Sequence, residues 1–282
     1  MGMRFCTIGS GSKGNCSLLD TGRTQVLIDC ARLGQRYIKS GLESLGVRIE
    51  EIDGILATHM HGDHVDGSVT FPLCRRYGIP LYVHEGSVED LMRRSFKFAE
   101  LDHAGLLRRF RTETFMLNEL RVTPIEVQHG AGGWNHDIVG RPVGYRISLI
   151  EGAAESVLSY ATDLGLTTAE IESAMAGSDV LVLESNHDVE AERRSGRPWH
   201  LVQWVLGPRG HLSNEQSASA VARIAGAGEG RTKHVVLAHL SEDCNTPELA
   251  LRATRAALDA ADVAGVSIDV ALQKFPCPEI VF

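Results

Sequence analysis

The stretch "ATHMHGDHVDG" (residues 57–67) holds His59, His61 and His64 with Asp63 and Asp66, and it overlaps the end of the apolar run "GILAT" (54–58). Imidazoles crowded this closely repel one another once protonated and add little to an apolar core. The cluster therefore points to a shared cation. "GILAT" reads as a buried strand, and a strand end is a rigid place from which to aim a ligand. Two apart in extended backbone, His59 and His61 face the same way and can bind one ion through imidazole nitrogen. Asp63 and His64 lie beyond the turn at Gly62 and suit a second ion. Two ions about 3.5–4 Å apart clamp the attacking and leaving oxygens of a displacement, and they lower the pKa of bound water toward ~7, which yields a bridging hydroxide as nucleophile.

Such a centre needs ligands from elsewhere, and three further apolar runs end on them. "VTPIEVQ" runs into His129, "VLSYAT" into Asp163 and "HVVLA" into His239. His129 would complete the first ion and His239 the second. Asp163 would bridge, since a carboxylate has two oxygens to share.

A second informative segment is "GHLSNEQSA" (210–218). Ser213 can cap the following helix, with Gln216 three residues on as in a capping box, and is also a candidate substrate contact. His211 lies just before it, and a helix N-terminus favours an anion such as phosphate. His211 is the candidate for giving a proton to a leaving oxygen or holding a phosphate. Glu184, which ends "SDVLVLE" (178–184), can orient it. Asn186, His187 and Asp188 in "ESNHD" (184–188) read as substrate contacts, as partners that orient a ligand, or as turn residues. "GSGSKGN" (9–15) lacks the G-K-[ST] ending of a phosphate-binding P-loop. It reads as a tight hairpin near the site, with Ser12, Lys13 and Asn15 available to a substrate. His84, His103, His200 and His234 have no pattern that lifts them above ordinary histidines.

At 282 residues the chain is at the upper limit for one core, and we expect one domain over 1–282 built of two α/β halves. Hydrophobic content of 43% and charged content of 23% suit a soluble globular protein. No apolar run approaches the ~18 residues of a membrane span. The start "MGMRFCTIGSGS" lacks the apolar run of a signal peptide. Six scattered cysteines without a C-x-x-C pair read as reduced, buried thiols of a cytoplasmic protein. A net charge of −8 argues mildly against a protein coated in nucleic acid. Local basic clusters such as Arg93-Arg94 with Lys97 read as solvated faces or as a basic rim around the metals.

Short strands ("RFCTIGS", "CSLLD", "QVLIDC") open the chain, a helix is expected over about 35–45, and strands dominate about 105–162. Helices and strands alternate on either side. Two mixed half-chains with outer helices predict a layered α/β/β/α body.

The pattern H-x-H-x-D-H after an apolar strand, followed by single His, Asp and His at later strand ends, resembles the metallo-β-lactamase-fold hydrolases. "GSGSKGNCSLL", "VLIDC", "RPVGYRI", "YATDLG", "LESNHD", "GHLSN" and "AHLSEDCNTPELA" are similar in order and spacing to the bacterial YycJ/WalJ-like subgroup, which is associated with exonuclease action on DNA. The resemblance covers nearly the whole chain. It implies an αββα four-layer sandwich and a dinuclear hydrolase, with zinc as the metal or manganese in its place and DNA as the substrate. "GHLSN" also resembles the part of RNase Z-like enzymes where a histidine assists at the scissile phosphate. Two departures stand out. The segment "HGAGGWNHDIVGRPVGY" (129–145) is long, and His136 within it rivals His129 as third ligand; Trp134 there is a loop anchor or a base-stacking ring. "SEDCN" lacks a second Asn common in the resembling proteins. The acidic charge favours the rival reading, a hydrolase of a lactone, thioester or β-lactam. A di-iron electron-transfer relative would place Glu where His61 stands.

Overall fold

The computed structural model describes residues 2–130, 139–151 and 154–282. Its strands are β1 (Arg4–Gly9), β2 (Cys16–Asp20), β3 (Gln25–Ile28), β4 (Ile52–Leu56), β5 (Leu81–His84), β6 (Leu107–Phe110), β7 (Phe115–Leu117), β8 (Leu120–Glu126), β9 (Val143–Glu151), β10 (Ala154–Ala161), β11 (Val180–Glu184), β12 (His234–Ala238), β13 (Ser267–Val270) and β14 (Ile280–Val281). The helices are α1 (Gln35–Ser44), α2 (Thr70–Tyr77), α3 (Val88–Arg94), α4 (Phe98–His103), α5 (Ala169–Met175), α6 (Val189–Arg193), α7 (Trp199–Val205), α8 (Asn214–Ala227) and α9 (Pro247–Ala260).

The strands form two seven-stranded sheets, β14-β1-β2-β3-β4-β5-β6 and β13-β12-β11-β10-β9-β8-β7. Side-chain alternation along each strand explains how the layers stack. In β2 and β3, Leu18 and Leu27 face α1 (Ile38, Leu42), α2 (Leu73) and α4 (Phe98, Leu101). Their neighbours Leu19, Val26 and Ile28 face the other sheet, where they meet Tyr145, Leu158, Val180, Val182 and Val236. In β11 and β12, Leu181, Leu183, Val235 and Leu237 face outward to α5, α8 and α9 through Ile171, Val221, Ile224 and Leu258. The result is an αββα sandwich of the expected metallo-β-lactamase type.

Direction matters for the site. In the first sheet β3, β4, β5 and β6 are parallel, and β1 runs with β3 because β2 is antiparallel to both. In the second, β10, β11, β12 and β13 are parallel, and β8 runs with them across the antiparallel β9. The C-terminal ends of β1, β3 and β4 thus lie together on one sheet, and those of β8, β10, β11 and β12 on the other.

The expected early strands and first helix are present within a residue or two, but "GILAT" ends sooner, at Leu56. Three strands escape the sequence pattern. β6 ("LRRF") is buried only at its ends and carries two exposed arginines. β13 is exposed or half-buried throughout, and β14 has two residues. All are edge strands, where alternation is weak. The six cysteines are buried and unbridged. Among the described residues no helix is long and apolar enough to cross a membrane.

Candidate metal centre

Seven side chains arrive at one spot from the two sheets. His59, His61, Asp63 and His64 come from the loop after β4, His129 from three residues past β8, Asp163 from two past β10, and His239 directly from β12. Three overlapping donor sets have ligand atoms within 4.8 Å of one another: His59, His61, His129 and Asp163; Asp63, His64 and His239; and Asp163, Glu184, His211 and His239. Asp163 and His239 adopt positive φ values of 60° and 56°. Non-glycine residues in this region cost of order 1–3 kcal/mol and persist where surrounding structure enforces them.

The donor atoms face one another in a way protons alone do not satisfy. His61 Nδ1 is 2.9 Å from His59 Nε2 and 3.2 Å from His129 Nε2. Asp163 Oδ2 lies 3.1 Å from His64 Nε2, and its Oδ1 lies 3.6 Å from His239 Nε2 and 3.8 Å from His129 Nε2. Asp63 Oδ2 is 3.6 Å from both His64 Nε2 and His239 Nε2. Asp163 Oδ2 and His239 Nε2 are buried and make no hydrogen bond. An unpaired buried polar group costs about 1–3 kcal/mol, so the residues fit a bound cation that these atoms would hold.

The outward nitrogens are fixed. His64 Nδ1 donates to Asp29 Oδ2 at 2.7 Å and His129 Nδ1 to the Gly210 carbonyl at 2.9 Å. Each bond turns Nε2 toward the centre, where its lone pair is free once any proton on it has left. Glu184 accepts from the backbone of Leu164 and Leu212 at 3.0 and 3.1 Å through Oε2. Its Oε1 lies 2.7 Å from His211 Nδ1 and 3.3 Å from His239 Nδ1. With both oxygens engaged, Glu184 serves the third set as an orienting carboxylate. The His211 ring stacks on His239 with centroids 5.4 Å apart and stands edge-on to Trp204.

Electrostatics divide the centre in two. Burial, with the neighbouring His64 and His61, pulls the His59 imidazole well below its ordinary range, and burial holds His129 down to about 4. Burial also pulls at His239, but the carboxylates of Asp163, Asp63 and Glu184 outweigh it and push the imidazole up to about 10. His64 is raised in the same way by Asp163, Asp29 and Asp63. Burial raises Asp63 and Glu184, yet facing histidines hold each down to about 2.

The remaining expectations sort by burial. Ser12 and Lys13 are exposed, and Lys13 pairs with Glu242. Asn15, Asn186 and His187 are buried and present no open surface to a substrate. Asn15 Nδ2 donates to the Asp63 carbonyl at 3.3 Å and Asn186 Nδ2 to the His239 carbonyl at 2.8 Å, so both position residues of the centre. Ser213 is buried in the expected capping box with Gln216. Thr168 caps α5. His136 and Trp134 lie outside the described residues.

Sequence reasoning missed three supports. Asp29 accepts from the Thr58 backbone and hydroxyl, each at 2.8 Å, besides His64. Its signal was present: it ends the apolar run "VLID" as the other site residues end theirs. Ser10 Oγ accepts from the His239 backbone N–H at 2.9 Å. Arg94 donates to the Met60 carbonyl, between His59 and His61, from Nε at 2.9 Å and Nη2 at 2.6 Å.

Comparison with known proteins gives the family and the fold. Residues 24–240 match the family model described as "Beta-lactamase superfamily domain". The chain is 33% identical over 271 residues to Exodeoxyribonuclease WalJ of Streptococcus pneumoniae, covering 95% of this chain and 93% of that protein. It is 30% identical over 250 residues to Exodeoxyribonuclease YycJ of Bacillus anthracis, covering 89% and 87%. Its fold matches the metallo-beta-lactamase fold protein YhfI from Bacillus subtilis with a TM-score of 0.67 at 16% identity, over 99% of this chain and 100% of that one. The chain therefore belongs to the β-lactamase superfamily, with the metallo-β-lactamase fold.

Proposed function

We propose that this protein is a hydrolase with a two-cation centre that cleaves phosphodiester bonds in DNA from an end. The observation that carries the reading is that Asp163 shares one donor set with His59, His61 and His129, while its oxygens also lie 3.1 Å from His64 Nε2 and 3.6 Å from His239 Nε2, two members of the Asp63–His64–His239 set. The naming of the relatives WalJ and YycJ as exodeoxyribonucleases supports DNA as substrate. Both sheets contribute to one centre, which favours one domain over residues 1–282. Zinc suits the imidazole-rich set, and manganese suits it too because carboxylates share it. Unbridged buried thiols favour a reducing compartment, the cytoplasm.

Two divalent cations would supply Lewis acidity there, making a water more acidic and countering charge that develops on the reacting group. The chain's own residues do the rest. Asp29 and the Gly210 carbonyl keep His64 and His129 in the tautomer that offers Nε2. Glu184 accepts from His211 Nδ1, so that a protonated His211 would give its Nε2 proton to the leaving oxygen and remain neutral with Nδ1–H on Glu184. His239 and Trp204 hold the His211 ring in place from its face and its edge.

The test is hydrolysis of end-labelled short duplex and single-stranded DNA with zinc or manganese, beside a lactone and nitrocefin. Stepwise shortening of the DNA with both small substrates inert is the expected result. Turnover of the lactone or nitrocefin with intact DNA would replace this reading by a small-molecule hydrolase.

A further inference from the structure

Arg32 stands apart from the other cations around the centre. It follows Cys30 and Ala31 after β3, and its backbone takes a φ of 56°. Its amide donates to Asp66 Oδ2 at 2.8 Å, which ties it to the loop that carries the histidines. The guanidinium lies over Gly62, between the ligand residues His61 and Asp63. A Cβ placed on Gly62 would come within 3.0 Å of Arg32 Nη2 and 3.4 Å of its Cζ. The side chain is exposed, and no ion pair among the described residues involves it. A chain of net charge −8 supplies carboxylate partners to many of its other arginines, among them Arg4, Arg93, Arg197 and Arg231. An unpaired guanidinium held by costly backbone against a metal loop is suited to an anion from outside, and its planar fork matches phosphate.

A second exposed group sits on the segment that follows α3. Phe96 is 81% exposed in the α3–α4 connection, with exposed Lys97 next to it. The preceding Ser95 abuts Gly67, where an added Cβ would approach to 3.0 Å. Arg94, one residue earlier, holds the Met60 carbonyl. The Arg32 and Phe96 segments thus both lean on residues 60–67, on the side of the centre lined by β3, β4 and α3.

We propose that Arg32 and Phe96 form a strand-binding lip, in which Arg32 holds a backbone phosphate of single-stranded nucleic acid next to the scissile one and Phe96 stacks a neighbouring base. The inference rests on the phosphodiesterase reading of the centre. Exposed aromatics gain affinity from any base, and cations gain it from phosphate with a salt dependence. Together they give grip without sequence preference, as an enzyme that trims ends requires.

The test uses zinc-loaded protein and a short fluorescein-labelled phosphorothioate single strand of DNA, with anisotropy read across a salt series. Arg32→Gln should weaken binding about tenfold and reduce the slope of log affinity against log salt by about 0.7. Phe96→Ala should weaken it about fivefold or more with the slope unchanged. Zinc content should be unchanged in both variants, and hydrolysis of bis(p-nitrophenyl) phosphate by the unmodified protein reads the centre separately from the lip. Unchanged DNA affinity in both variants overturns the lip, as does absence of DNA binding by the unmodified protein. Loss of zinc in Arg32→Gln would make Arg32 a brace for the ligand loop and also overturn it. If the unmodified protein leaves bis(p-nitrophenyl) phosphate intact, the phosphodiesterase reading fails on its own, and the binding arm still judges the lip.

Discussion

Asp163 meets His64, His129, His211 and His239 with its two oxygens and leaves one of them buried without a hydrogen bond. Its φ of 60° is a conformation that asparagine also tolerates, so Asp163→Asn removes the charge while sparing the backbone. We expect bound metal to fall by about one ion per chain and turnover by about a thousandfold or more. Elemental analysis beside a rate measurement reads this out; two retained ions with normal activity would remove Asp163 from the bridging role. His211→Ala separates proton transfer from ligation. Its rate on phosphodiesters should drop by about 10²–10⁴ with metal content intact, and metal loss would instead make His211 a ligand. At this scale the sequence was legible wherever a polar residue directly follows an apolar run, as with His239 after "HVVLA". Asp29 obeys the same rule. Arg94 does not: its bond to the Met60 carbonyl spans 34 positions, and no local pattern encodes it.

Elements bring the donor residues together only where loops approach closely enough. The segment between α7 and α8 supplies both the Gly210 carbonyl that fixes His129 and the His211 ring. It is compressed against the end of α7. A Cβ on Gly210 would lie 2.1 Å from the Trp204 carbonyl oxygen and 2.4 Å from that of Val205. Gly210→Ala must therefore displace backbone. We expect it to cost about 1–3 kcal/mol or more of stability and to weaken metal uptake through His129. Thermal unfolding with a zinc titration checks both; a stable variant with unaltered zinc affinity would show that the loop yields without moving the histidine. The cap of α8 was readable from Ser213 and Gln216, because a capping box is a local pattern. The edge strands β6, β13 and β14 were not, because half-exposed strands of two to four residues lack alternation.

Across the whole molecule, two sheets bring together carboxylates and imidazoles that hold different charge states before any metal binds. His59 and His129 are neutral at pH 7, since burial lowers both. His64 and His239 are cationic, because Asp163, Asp63 and their neighbours raise them against burial. A cation at the first set therefore displaces no proton from His59 or His129, and its affinity for these two should be flat above about pH 6. At the second set each cation must displace the proton of His239, so affinity should rise about tenfold per pH unit for that proton, up to about pH 10. Stability runs the other way. A group raised in the folded state stabilises fully below its unfolded pKa, ~6.5 for histidine, and that contribution is lost as pH rises through about 10. Metal-free protein should thus lose the His239 contribution between about pH 6.5 and 10, over the same range in which the second ion binds more tightly. The thermal shift on adding zinc or manganese should then grow steadily from pH 6 to pH 9, with the second equivalent accounting for the growth. Melting curves of metal-free and reconstituted protein across that range test it. An equal shift at every pH would mean that His64 and His239 are not the groups the second cation displaces a proton from.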